Sequence, residues 1–430
     1  MYAEKVRDFF KKLNAKSLSL AYILLMMITP FVPRITSRFL TTYFYMLVVV
    51  AAAVFTIISC SINNVRENVV LLLPFAAFEA IAMVSANSED VLLAGYQVLL
   101  FILPVCIGYY LVTNRFFVNF HCMVIIIAVA VTCVTTTIGC IVFPNASRVL
   151  ATAAASYNGT SSSYDILNIG GYGFVYSTVL MYPFVILGFK AKRLHLIPTV
   201  VLTVLIYYMV IQTEYTYALL LLMLSTLLFF VKRDITIKRF ILLMLVFFVV
   251  VLIFRVTIAA LFSYIGNLLG NQTMVDKINA AFLGTDAVDN FDDDRGALYM
   301  KSLNLFFKQP LFGSLFGGSK NVGGHSFLLD ALGTYGLVGG GLLAFMYRGI
   351  YRVFYKPLEH STGYYLVFWS FIQPIILSII NTGMWVQNLC LYAPIIFSAI
   401  FGSSVYLDKV NTPPEPLIPV KVLQRKEIKK

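Results

Sequence analysis

Polar residues break the chain at short intervals, and twelve apolar runs lie between the breaks. They cover roughly residues 18–33, 39–60, 69–86, 91–113, 118–143, 166–189, 195–211, 215–231, 240–263, 326–346, 363–381 and 384–406. Most approach the ~20 residues that a helix needs to cross a hydrocarbon core. The pattern predicts an all-α, polytopic integral membrane protein of about twelve transmembrane helices. No repeat of the soluble solenoid type is visible, and no segment between runs is long enough for a separate soluble domain.

Composition agrees. Of 430 residues, 60% are hydrophobic and 12% charged, and the mean hydropathy is +0.85. A soluble domain is nearer half apolar and a quarter charged. The net charge of +12 raises nucleic acid as a partner. Its distribution points elsewhere, because lysine and arginine cluster beside the apolar runs. With the N-terminus inside, the predicted inner segments hold 23 of the 32 lysines and arginines, the outer ones hold eight, and Arg255 lies within a run. The bias predicts both termini in the cytoplasm and the protein in the cytoplasmic membrane. The first run follows a basic start, MYAEKVRDFFKKLNAKS, and leads into MMITPFVPR rather than a small-residue cleavage site, so it is expected to be retained.

The chain then divides into a basic start (1–17), nine helices (18–263), one large outer loop (264–325), three more helices (326–406) and a proline-rich, basic tail (407–430). Polar chemistry concentrates in that outer loop. From Arg295 to Lys308 the spacing of Leu298, Leu303 and Phe307 predicts an amphipathic helix, with Leu305 and Phe306 nearby. Asp292, Asp293 and Asp294 suit its N-terminus, with an N-cap among them. Pro310 ends it. A glycine-rich turn, FGSLFGGSKNVGGH, leads to the tenth run, which opens on His325 and Ser326 and carries Asp330. The six cysteines all lie in apolar runs with no C-x-x-C pair and read as small core residues.

The order of these elements resembles the signature region of the bacterial O-antigen ligase and polysaccharide polymerase superfamily. The family pattern places an arginine and an aromatic on a helix, then P-x-x-G, then H-(N/S) followed by spaced leucines and G-x-x-G. Arg295 with Tyr299, Pro310 with Gly313, His325 with Ser326, and Gly336 with Gly339 fill those positions. The resemblance implies a GT-C-like membrane glycosyltransferase needing no cofactor and no metal. Its donor would be an undecaprenyl-pyrophosphate oligosaccharide at the outer leaflet and its acceptor another glycan hydroxyl. Membrane lipid and a chain-length regulator are the further partners, with no nucleic acid. A guanidinium grips phosphate oxygens bidentately, which suits Arg295 to the pyrophosphate. A neutral imidazole takes a proton near pH 7, which suits His325 to the attacking hydroxyl.

Plainer readings stand beside these. A histidine at a helix start serves as an interfacial polar cap, and Arg295 as a surface partner of Asp292–Asp294. Asp330 has three roles open to it: partner of Ser326, orienting partner of His325, or satisfied acid. Its five-residue spacing shares His325's helix face poorly. The Gly339–Gly341 run reads as close helix packing. The family's second arginine has no counterpart at Gln212–Thr216, leaving Arg255 and Arg148 as substitutes. Arg255 is expected about 12 Å inside the ninth helix, where it either faces the bundle interior or snorkels outward. Glu79 is an intramembrane acid with no sequence partner, and it stands with Arg255, Tyr299, Ser326 and Asp330 as a substrate-binding candidate. The DILNIGGYGFVYS opening of the sixth run suits a helix lining a polar cavity.

Overall fold

A computed structural model describes residues 15–30, 32, 34, 39–40, 42–61, 65–84, 102–112, 118–144, 146–150, 167–231, 237–268, 272, 275–276, 279, 283, 295–315, 322–359, 363–380 and 393–402. Among them there are helices and turns and no strand. Every predicted apolar run carries helix. In chain order these are α1 (Ala15–Ile28), α2 (Thr42–Ser61), α3 (Val65–Val84), α4 (Ile102–Val112), α5 (Val118–Val142), α6 (Tyr172–Lys190), α7 (Leu196–Gln212) and α8 (Thr216–Leu227). They continue as α9 (Ile237–Ile253), α10 (Arg255–Leu268), α11 (Arg295–Lys308), α12 (Phe327–Ile350) and α13 (Tyr364–Ile380), and a last short helical stretch covers 393–402. Three described segments, Phe120–Val142, Tyr172–Lys190 and Phe327–Leu358, are long and apolar enough to cross a membrane.

The bundle is built around α6. All of its residues from Phe174 to Gly188 are buried. A helix that is apolar on every side finds a stable place only inside protein or lipid, and α6 packs on α7, α8 and α13. The opening of the sixth run therefore belongs to a close-packed central helix, where Tyr172, Tyr176 and Tyr215 meet ring against ring. Outer helices show the complementary pattern. On α5, Ile125, Val129 and Cys133 are fully buried, while Met123, Ile127, Val131, Val134, Ile138 and Ile141 form an exposed stripe at helical spacing. Such a large exposed apolar surface is unusual in a soluble monomer and suits lipid contact.

Polar contacts tie the helix ends together in two groups. At one end, Lys190 at the end of α6 donates from Nζ to Val231 O at 3.0 Å, Tyr365 donates to the same carbonyl at 3.0 Å, and Lys16 donates to Ser59 O. At the other, Arg34 donates to Ile169 O at 2.8 Å, Tyr215 to Ser147 O at 3.0 Å, and Gly170 N to Thr136 Oγ1 at 2.8 Å. Each of these bonds joins helix ends that the alternation of charge along the sequence assigns to the same side. Ser225 Oγ accepts from Trp369 Nε1 and from Gln373 Nε2, both at 2.8 Å, and links α8 to α13. Cys60, Cys106, Cys122, Cys133 and Cys140 are free thiols inside helices, as read from the sequence.

Two predicted spans differ from expectation. The ninth is two helices bent by 73° at Phe254. With α9 rising from its basic start, its 17 residues climb about 25 Å. Arg255 begins α10 just past the bend and is exposed. The tenth run, α12, is broken at Gly336, whose φ of 62° and ψ of −154° are not helical.

Candidate functional site

The family-like residues fold into one interlocked unit of α11, the turn at 309–315 and α12. Helix α11 spans Arg295–Lys308, the bounds predicted from sequence. Its amphipathic face is shifted, however. Phe307 is 71% exposed and points away, while Ser302 is fully buried and faces α12. Backbone contact decides this face: a Cβ on Gly323 would lie 2.1 Å from Leu298 O, and one on Gly333 would lie 2.9 Å from Ser302 O. The other side of α11 is anchored by Tyr299, whose hydroxyl donates to Ile380 O at the end of α13 at 2.8 Å. Tyr299 is thereby an anchor of the outer helix.

The break in α12 strands backbone groups, and the 309–315 turn takes them up. Leu337 N donates to Pro310 O at 2.8 Å, Val338 N donates to Leu311 O at 3.2 Å, and Gly333 O accepts from Ser314 N at 3.1 Å. Non-helical backbone at membrane depth is tolerated only when other protein groups satisfy it. Gly313, at φ 59°, and Gly336 meet at this contact, where a Cβ on Gly336 would lie 2.4 Å from Leu311 O. At Gly339 and Gly340 the nearest neighbours come from the same helix, and Gly341 has open space beside it. Tyr335 and Leu332, from the first half of α12, fold over Gly339 and Gly340.

His325 sits in the turn that precedes α12. It is half-buried and makes no hydrogen bond to any described residue. Ser302, Ser326 and Asp330, by contrast, are hydrogen-bonded. Ser326 is fully buried and caps α12, its Oγ accepting from Leu329 N at 3.1 Å. Asp330 reaches back to Ser326 N at 3.1 Å, so the two cap each other reciprocally. The carboxylate also accepts from Gly324 N at 3.3 Å and from Ser302 Oγ at 2.5 Å. Ser302 Oγ in turn accepts from Gly323 N at 2.9 Å. Of the three roles open to Asp330, the structure shows the partner of Ser326 in a satisfied acid, and no bond to His325. Ser302 was not singled out in the sequence, since a lone serine on an amphipathic helix carries no signal.

Glu79 is 3% exposed on α3, directly after Phe78, whose ring meets Phe327 at 6.3 Å and Tyr335 at 5.3 Å edge-on. It therefore lies on the helix that backs the first turn of α12. Arg148, the other substitute cation, is 5.9 Å from the Tyr215 ring at the same end of the bundle. The expected N-cap among Asp292–Asp294 and the side chain of Arg295 lie outside the described residues. Among the described residues no group of three or more histidines, cysteines or carboxylates could hold a metal.

In comparisons with protein-family models, with curated proteins and with solved structures, the chain matches none.

Proposed function

We propose that this chain is a polysaccharide polymerase of the cytoplasmic membrane. In this reading twelve helices form a GT-C-like bundle with both termini in the cytoplasm. The end of the bundle that carries α11 faces outward. There Arg295 holds the pyrophosphate of an undecaprenyl-linked glycan, and His325 takes the proton of the acceptor hydroxyl as it attacks the anomeric carbon. The sugar–phosphate bond breaks and lipid pyrophosphate leaves. One observation carries the reading. Pro310, Gly313 and Gly336 meet where the 309–315 turn takes up the broken backbone of α12, and the turn that carries His325 is held beside them through Gly323 N, Gly324 N and Ser326 N, with Arg295 opening the helix to which it is tied.

A ligase passing the glycan to a lipid A core would use the same donor chemistry. A transporter or lipid flippase is favoured by one feature, the discontinuous α12, since transporters place sites at broken helices. Here the freed groups Leu337 N, Val338 N and Gly333 O are consumed by the 309–315 turn. The deciding experiment supplies purified protein with an undecaprenyl-pyrophosphate oligosaccharide. A product ladder is expected of a polymerase. Single transfer onto a lipid A core would make it a ligase, and transbilayer movement without new linkages would remove the enzyme reading.

A further inference from the structure

Three of the backbone N–H groups around His325 point at one acceptor pair. Gly323 N donates to Ser302 Oγ at 2.9 Å, while Gly324 N and Ser326 N donate to the Asp330 carboxylate at 3.3 and 3.1 Å. Ser302 Oγ closes the circuit on Asp330 at 2.5 Å. A carboxylate inside such a nest of amides is a strong, directional acceptor. The four bonds cross between elements: Ser302 belongs to α11, Asp330 to α12, and the turn they hold carries His325. Ser302 lies seven residues after Arg295, two turns further along α11.

We propose that Ser302 and Asp330 form a clasp that positions His325 relative to the outer helix. Both are positioning residues. Their polar atoms are spent on one another and on backbone, so the substrate is left to His325 and to residues of α11. The role at the reaction rests on the transferase reading, whereas the clasp itself does not. By fixing the turn to α11, the clasp sets the separation between the start of that helix, where Arg295 stands, and the imidazole. A transfer reaction needs those two held together, because a displacement of about 1 Å at a reacting group costs on the order of 10²-fold in rate.

The test uses the full-length protein in detergent or nanodiscs with two variants, Ser302→Ala and Asp330→Asn. Backbone hydrogen exchange over 322–328 is expected to quicken in both, with the second half of α12 unchanged. Unchanged exchange in both variants overturns the clasp. Turnover is then compared in wild-type and His325→Ala backgrounds. A positioning pair acts through His325, so Ser302→Ala should slow kcat by about 10²-fold with KM nearly unchanged, and by little once His325 is gone. Equal losses in both backgrounds, or no loss in the first, overturn the positioning role. If wild-type protein transfers no glycan, the transferase reading fails, and the exchange result alone decides the clasp.

Discussion

The carbonyl oxygen of Pro310 accepts a hydrogen bond at 2.8 Å from the N–H of Leu337, the first residue after the break in α12. A proline and a leucine far apart in sequence thus close a helix that would otherwise open into apolar surroundings with its first amides unpaired. The two positive-φ glycines on either side, Gly313 and Gly336, make the approach possible, and they define the first prediction. Gly336→Ala forces a side chain into a backbone region open to glycine alone and against Leu311 O, so it should lose more than about 2 kcal/mol in thermal unfolding. Gly313→Ala should cost a similar amount, because its Cβ would lie 2.5 Å from the Thr334 carbonyl carbon. The double variant should lose less than the sum, since the two residues share one contact. Gly341→Ala is the control: its Cβ would meet nothing within 4 Å, and no loss is expected.

The grouping of helix ends gives a second prediction. His195 lies between α6 and α7, at the end tied by Lys190, and Phe312 lies at the opposite end beside α12. In a background lacking the native cysteines, Phe312→Cys should react with an impermeant thiol reagent in intact cells. His195→Cys should react only after permeabilisation. The reverse pattern would invert the bundle and place the His325 turn in the cytoplasm.

Much of this architecture was legible in the chain. Hydropathy located a helix in every run, and the periodicity of 295–308 placed α11 at its observed bounds. What the sequence concealed has physical causes. The break at Gly336 falls inside an unbroken apolar run, and composition cannot report a kink whose stranded amides are met by a distant turn; the bend at Phe254 adjoins Arg255, whose charge gives no angle. A glycine run likewise looks the same whether a neighbour or its own helix packs over it. Ser302 was invisible because its importance comes from burial against Asp330, a tertiary fact.

That bend yields a third prediction. Arg255 is exposed at the start of α10, so Arg255→Gln removes no buried pair. Stability should change by less than about 0.5 kcal/mol, as for ordinary surface positions, with turnover unaffected. A loss of donor affinity of tenfold or more would restore Arg255 as the second phosphate cation.

The polar junction between α8 and α13 gives a fourth. Ser225→Ala leaves Trp369 Nε1 and the main Gln373 Nε2 contact unmatched in the bundle interior. Interhelical hydrogen bonds in membranes are worth about 0.6 kcal/mol on average and reach about 1.7. Losing two should cost roughly 1–3 kcal/mol in thermal unfolding. Trp369→Phe, which removes a donor while leaving Gln373 on Ser225, should cost less than Ser225→Ala. A larger loss would mean that ring volume rather than the hydrogen bond holds this junction.

The last prediction concerns which group takes the proton in the proposed transfer. Two described titratable side chains stand as candidates beside the first turn of α12, His325 in the turn before it and Glu79 on the helix packed against it. They differ in setting. Glu79 is buried at 3% exposure on α3, behind Phe78, Phe327 and Tyr335. His325 is half-exposed in the turn itself, where an acceptor sugar has access from solvent. Asp330 is removed from the contest, since Ser302, Gly324 and Ser326 already occupy its carboxylate. General-base assistance is typically worth 10²–10⁴-fold, so His325→Gln, which keeps hydrogen bonding and loses the basic nitrogen, should lower kcat by about that factor with donor binding intact. Glu79→Gln should lower it by less than about tenfold, consistent with a helix that only supports α12. Arg295→Lys should act differently, weakening donor binding because the ammonium lacks the two-pronged grip on phosphate. Turnover and donor affinity measured separately on the three variants resolve the roles. If Glu79→Gln abolishes turnover while His325→Gln keeps it, the base lies on α3 and the imidazole only orients the acceptor.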